Sequence, residues 1–122
     1  MKRYDGFLTA AQRVDAFVAE LWRTLQSIPE YKGTTTLIFT ADHGRGRGVR
    51  DWIDHSVKQP GSEEIWMGVM GPDTPALGER ENIAPVTQAQ LAATVAAFVG
   101  QDFRAFKPEA APSLFNVLGM HR

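Results

Sequence analysis

The sequence predicts an α/β protein with a mostly parallel sheet, a partial three-layer α/β/α arrangement. Three observations carry that expectation. A long amphipathic stretch precedes a short run of β-branched and apolar residues. A second apolar run, "IWMGVM" at residues 65–70, is nearly continuous, as in strands covered by helices on both faces. A helical pattern then follows that second run, so the order is helix, strand, loop, strand, helix.

The first helix is expected over Leu8 to Ser27. Val14, Phe17, Val18, Leu21, Trp22, Leu25 and Ile28 recur at spacings of three and four. Asp5 or Thr9 is placed to cap it, and Thr9 with Gln12 has capping-box spacing. Pro29 ends it, because the residue before a proline avoids the helical region. Lys32-Gly33 turns the chain into a strand over Thr35 to Thr40. Residues from Ala41 to about Gly61 read as a long polar loop, with one helical turn near Val49 to Ile53. Loops of that length inside compact domains are usually functional or disordered. Ile65 to Met70 is the second strand, read as buried on both faces and stopped by Gly71-Pro72. "GPDTPALGEREN" is loop. Thr87 with Gln90 is another capping-box pair, Leu91, Val95 and Phe98 mark a helix face, and Gly100 is placed as the C-cap. The tail to Arg122 carries Pro108, Pro112 and Gly119 with a few apolar anchors, and is expected to pack back loosely. Only two strands can be read, whereas sheets average about five to six.

Bulk properties narrow the function classes. A chain of 122 residues suits one domain, 1–122. Its formal net charge of -1 creates no field that would draw it to nucleic acid or acidic lipid. No cysteine is present, so disulfides, thiolate chemistry and cysteine zinc sites are excluded. The first residues lack the apolar segment of a signal peptide, and no stretch of about 18 apolar residues predicts a membrane span. A cytoplasmic location is the default expectation.

The loop that follows the first strand, within "TTTLIFTADHGRGRG", admits three readings. Arg45, Arg47 and Arg50 form a Gly-Arg cluster that could contact nucleic-acid phosphates, but no aromatic residues are interleaved for base stacking. A phosphate cradle would need the Lys-Ser/Thr of a Walker loop or three glycines opening directly into a helix. Gly44, Gly46 and Gly48 fall on every second position and match neither. The third reading is a metal site. Ligands gather at the carboxyl ends of strands in open α/β sheets, and Asp42 and His43 stand just past such an end. A hard carboxylate oxygen beside a borderline imidazole nitrogen suits zinc or manganese. His55, in "DWIDHS", lies within reach of the same loop. A satisfied turn histidine is the plain alternative. His121 near the C-terminus reads as solvated, and Asp51 and Asp54 read as surface or capping groups.

On these residues the chain resembles the alkaline phosphatase superfamily, which includes sulfatases, nucleotide pyrophosphatases/phosphodiesterases and cofactor-independent phosphoglycerate mutases. "TTTLIFTADHGRG" is similar to the family's strand and metal loop. His55, the "EEIWMGVMGPD" strand and "NIAPVTQAQLAATVAAFVG" follow in the family's order, so the resemblance covers roughly residues 5 to 100. It implies that Asp42 and His43 bind one ion of a two-metal centre and that His55 joins the shell of the other. It implies two zinc or manganese ions in the complete site and a phosphate- or sulfate-ester substrate. Arg45 and Arg47 would steer that anion, or simply be solvated. The family's nucleophile and its Asp-x-x-x-His pair have no counterpart here; Asp5 has no histidine four residues on. The expectation is therefore a C-terminal segment of a metal-dependent ester hydrolase, incomplete relative to the family and inactive alone. An export signal in a missing part would change the location. The alternative is a non-catalytic α/β remnant that forms homo-oligomers through uncovered sheet edges or faces.

Overall fold

The structure is a computed structural model that describes residues 3–114 and 117–118. In chain order it places helix α1 at Tyr4–Ser27, strands β1 at Leu37–Thr40 and β2 at Met67–Met70, a 3-10 turn at Gln88–Gln90, and helices α2 at Leu91–Phe98 and α3 at Phe103–Phe106. The chain divides into two compact units, Met1–Val69 and Met70–Arg122.

In the first unit α1 runs 24 residues, about 36 Å at 1.5 Å per residue. It begins one turn earlier than the periodicity suggests. Thr9 is not a cap: its hydroxyl donates backward to the Asp5 carbonyl at 2.9 Å, from inside the helix. The first turn instead carries the Asp5 carboxylate, favoured at the positive end of the helix dipole and paired with Arg3. The helix ends at Ser27, one residue before the Ile28-Pro29 pair, as proline sterics require. Val18, Leu21, Trp22 and Leu25 form a half-buried stripe along its second half. Val14 and Phe17, on the same stripe, stay 54% and 65% exposed.

The sheet corrects the expected fold class. Among the described residues it has two strands, β1 beside β2, and they are antiparallel. The pairing is legible in single contacts. Phe39 faces Gly68, Ala41 N–H donates to the Trp66 carbonyl at 3.2 Å, and Gly44 N–H donates to the Ser62 carbonyl at 2.8 Å. One partner number rises as the other falls. The physical reason is the connection. Parallel neighbours need a crossover, usually a helix, and residues 41–66 supply a returning loop instead. The parallel three-layer α/β/α architecture is therefore not formed. β2 is not buried on both faces either: all four of its residues are half-buried, and Trp66 just before it is 58% exposed. Gly68 leaves room for the Phe39 ring, since a Cβ there would stand 2.5 Å from it and push the ring aside.

In the second unit the expected capping box forms, with the Gln90 side chain accepting from Thr87 N–H at 2.9 Å. Gly100 sits just past α2 with φ 73, the left-handed conformation that suits glycine. The helix face is not the one expected. Val95 is half exposed, while Ala93 and Thr94 are buried. Thr94 is fully buried because its hydroxyl works twice. It donates to the Gln90 carbonyl at 2.7 Å and accepts from Leu114 N–H at 2.9 Å. Leu114 is itself only 4% exposed. The tail is thus clasped, not loose, and the Gln90 amide adds a bond to the Pro112 carbonyl at 3.2 Å. The four-residue α3, which the sequence pattern did not suggest, is capped by Asp102, whose carboxylate accepts from Arg104 N–H at 2.9 Å.

Candidate metal site

The loop after β1 is ordered by its own backbone. Gly44 N–H bonds to Ser62, Gly46 N–H to the Asp54 carbonyl at 2.9 Å, and Trp52 N–H to the Gly48 carbonyl at 3.0 Å. The last of these is the helical turn expected near Val49. The outgoing and returning limbs lie so close at Gly44 that a Cβ would stand 2.0 Å from the Gly61 carbonyl oxygen. Only glycine permits that approach, directly after the two candidate ligands.

Asp42 and His43 sit just past the end of β1, as expected. The carboxylate is turned by the backbone that follows it: its Oδ1 accepts from His43 N–H at 2.9 Å. Its other oxygen, Oδ2, lies 3.6 Å from His43 Nε2. The imidazole is oriented from its other side, where Nδ1 is 2.8 Å from the Gly44 carbonyl oxygen. That oxygen only accepts, so Nδ1 carries a proton, and in the neutral tautomer Nε2 presents its lone pair. This is how ligating histidines are generally held, with the second nitrogen on a carbonyl or carboxylate. A separation of 3.6 Å also suits two donors on one ion. Bonds of about 2.0–2.2 Å in a tetrahedron set donor atoms roughly 3.3–3.6 Å apart. The Asp42 side chain is 87% exposed, so an ion could reach it from solvent.

His55 does come back to this place. Its ring stacks on that of His43, with centroids 4.3 Å apart and planes inclined by 20°. It is held in a tight turn in which Asp54 Oδ1 accepts from Ser56 N–H at 2.9 Å. That bond is the main reason the Asp54 carboxyl titrates below the ordinary carboxylate range. Asp54, expected as a surface or capping group, is exposed and closes this turn. Asp51 is half-buried and accepts from the Gln59 amide at 3.1 Å. His121 lies outside the described residues.

Lone pairs of an imidazole lie in the ring plane. Two nearly parallel rings therefore cannot aim at one ion. Consistently, no group of three His, Asp or Glu among the described residues converges on a single ion position. The fit to a divalent metal is partial: Asp42 Oδ2 and His43 Nε2 are spaced as two donors to one ion, and His55 stacks beside them without converging on that position.

The two arginines differ. Arg47 pairs with Glu64, its Nε donating to Oε2 at 3.0 Å, so its charge is already met. Arg45 has no carboxylate partner among the described residues; its guanidinium lies over the Phe7 ring, 5.2 Å from the centroid. Around it runs a groove of about 550 Å³ that also involves Tyr4, Val49 and Trp52. The motif pattern did not single out these side chains. The available signal was Trp52, a large aromatic residue inside an otherwise polar loop. Among the described residues, no helix is long and apolar enough to cross a membrane. Compared with family models, curated proteins and solved structures, the chain matches none.

Proposed function

We propose that this chain contributes metal ligands to a two-metal centre of a phosphoric- or sulfuric-ester hydrolase. Asp42 and His43 hold one zinc or manganese ion, and His55 belongs to the second. Other residues complete both shells and supply the nucleophile. The observation that carries this reading is the stack of His43 on His55. It brings the imidazole assigned to the second ion against the one assigned to the first, although 12 residues separate them in the chain. The oriented Nε2 of His43 and the free Oδ2 of Asp42 support it, as does the likeness of "TLIFTADHG" to the family's metal loop. When bound, such ions hold the attacking and leaving oxygens of an in-line displacement. The chain by itself would bind at most one ion, weakly, and would not turn over an ester.

Titration calorimetry with zinc tests this. Wild type is expected to take up about one ion, Asp42→Ala/His43→Ala to take up none, and His55→Ala to retain the first ion. Equal uptake by wild type and the double variant would sink the metal reading.

A second reading, a non-catalytic module that self-associates, is favoured by one set of observations. Val14, Phe17 and Trp66 in the first unit and Phe106 in the second leave large apolar side chains in water. Sedimentation across a concentration series separates the two. A monomer at all concentrations would count against self-association and leave the metal reading standing.

A further inference from the structure

We propose that the groove beside the metal loop is a binding site for a planar aromatic group bearing a single oxyanion, such as an aryl carboxylate. The proposal rests on the groove alone and does not depend on the metal reading. Three rings build the apolar wall. Tyr4 meets Trp52 edge-on at 5.2 Å, Phe7 meets Trp52 at 5.9 Å, and Tyr4 meets Phe7 at 5.9 Å. Tyr4 is 53% and Phe7 38% exposed, so the wall presents open aromatic surface rather than a closed cluster. Val49, almost fully exposed, extends that surface. A groove of about 550 Å³ is the size of an ordinary small-molecule site.

Charge selects the ligand. Arg45 lies over the Phe7 ring, a cation–π contact that leaves guanidinium N–H groups to donate to a ligand. With no carboxylate partner among the described residues, that fork has one charge to offer and a geometry that matches a carboxylate or other oxyanion. Arg47, at the same groove, is neutralised by Glu64. One available cation argues for a monoanion over a dianion. Gly46 and Gly48 also line the groove and carry no side chain to obstruct a flat ligand. A neutral aromatic would leave Arg45 unanswered, and an inorganic anion would leave the rings wet.

The experiment is a titration of the full chain, with EDTA present, using naphthalene carboxylate, naphthyl sulfate, naphthol and acetate as probes. Either anionic aryl probe is expected to bind at least about tenfold more tightly than naphthol or acetate, the least that one charge-assisted bidentate contact implies. The two anionic arms tell a carboxylate from a sulfate ester as the preferred group. Arg45→Met, which keeps the stem over Phe7, should lose that tenfold advantage; Arg45→Lys should keep part of it. Asp42→Ala/His43→Ala should bind the aryl anion as wild type does, so a failed metal site and a failed groove give different results. Trp52→Phe retains a ring and controls for loss of the fold. If naphthol binds as tightly as the anionic probes, or if Arg45→Met binds unchanged, the assignment is overturned.

Discussion

Fully sequestered side chains and candidate chemistry fall in different units. In Met70–Arg122, Ala93, Thr94 and Leu114 are withdrawn from water, and one threonine hydroxyl joins α2 to the tail. In Met1–Val69, which holds Asp42, His43, His55 and the aromatic groove, the described residues include no large side chain that is fully buried. α1 has none along its whole length. The metal loop is shaped instead by backbone hydrogen bonds and by glycines pressed against carbonyl oxygens. Such contacts set geometry closely but supply little of the apolar burial that drives folding. The lesson is that a site can be locally well defined on a region with little core of its own. Its apolar stripe, Val14 and Phe17 included, is then the part most in need of cover.

The largest expected effect comes from breaking the stronger side of this contrast. Leu114→Ala removes the most buried large apolar side chain described and is expected to cost about 2–5 kcal/mol, read as a loss of unfolding free energy. Signals from α2 should change while the His43 and His55 ring resonances hold; a coordinated loss of both would show that the site shares its stability with the second unit's core. Gly44→Ala acts on the other side. The backbone oxygen of Gly61 cannot rotate away, so about 1–3 kcal/mol of overpacking is expected, together with loss of the His43–His55 ring contact by NMR. An unchanged ring contact would mean that the glycine does not shape the loop.

The smallest effect is a titration. The Asp54 carboxyl is depressed in the folded state, chiefly by accepting from Ser56 N–H. A depressed folded pKa contributes stability above the unfolded value of about 3.9 and loses it as pH falls through the folded value. The Ser56 amide shift should therefore titrate with a midpoint below the ordinary carboxylate range, and the turn holding His55 should loosen only there. A midpoint at or above that range would show that the bond is not made in solution.

Much of the local structure was legible from residue order. The spacing of Val18, Leu21, Trp22 and Leu25 marked α1, Pro29 its end, Thr87 with Gln90 the cap of the next helical segment, and Gly100 its close. Asp42 and His43 were placed at a strand end because "TLIFT" stops where polar, glycine-rich sequence begins. Each of these depends on contacts a few residues apart. Strand direction was not legible. A near-continuous apolar run fits a parallel strand with two covered faces, and it fits equally an antiparallel strand whose faces are only half covered. What decided it was the path of residues 41–66, which return without a helix.

By itself, then, the sequence determined the helices' caps and stops, the turn at Val49 to Ile53, and the position of the Asp-His pair. These are set by local backbone sterics and hydrogen-bond satisfaction. Tertiary structure alone decided that β1 and β2 run antiparallel, that Thr94 clasps Leu114, that His55 stacks on His43, and that Arg45 lies over Phe7 while Arg47 is spent on Glu64. Those contacts join residues 10 or more apart in the chain: backbone bonds order the loop that carries His43 and His55, and the Thr94 hydroxyl itself makes the clasp.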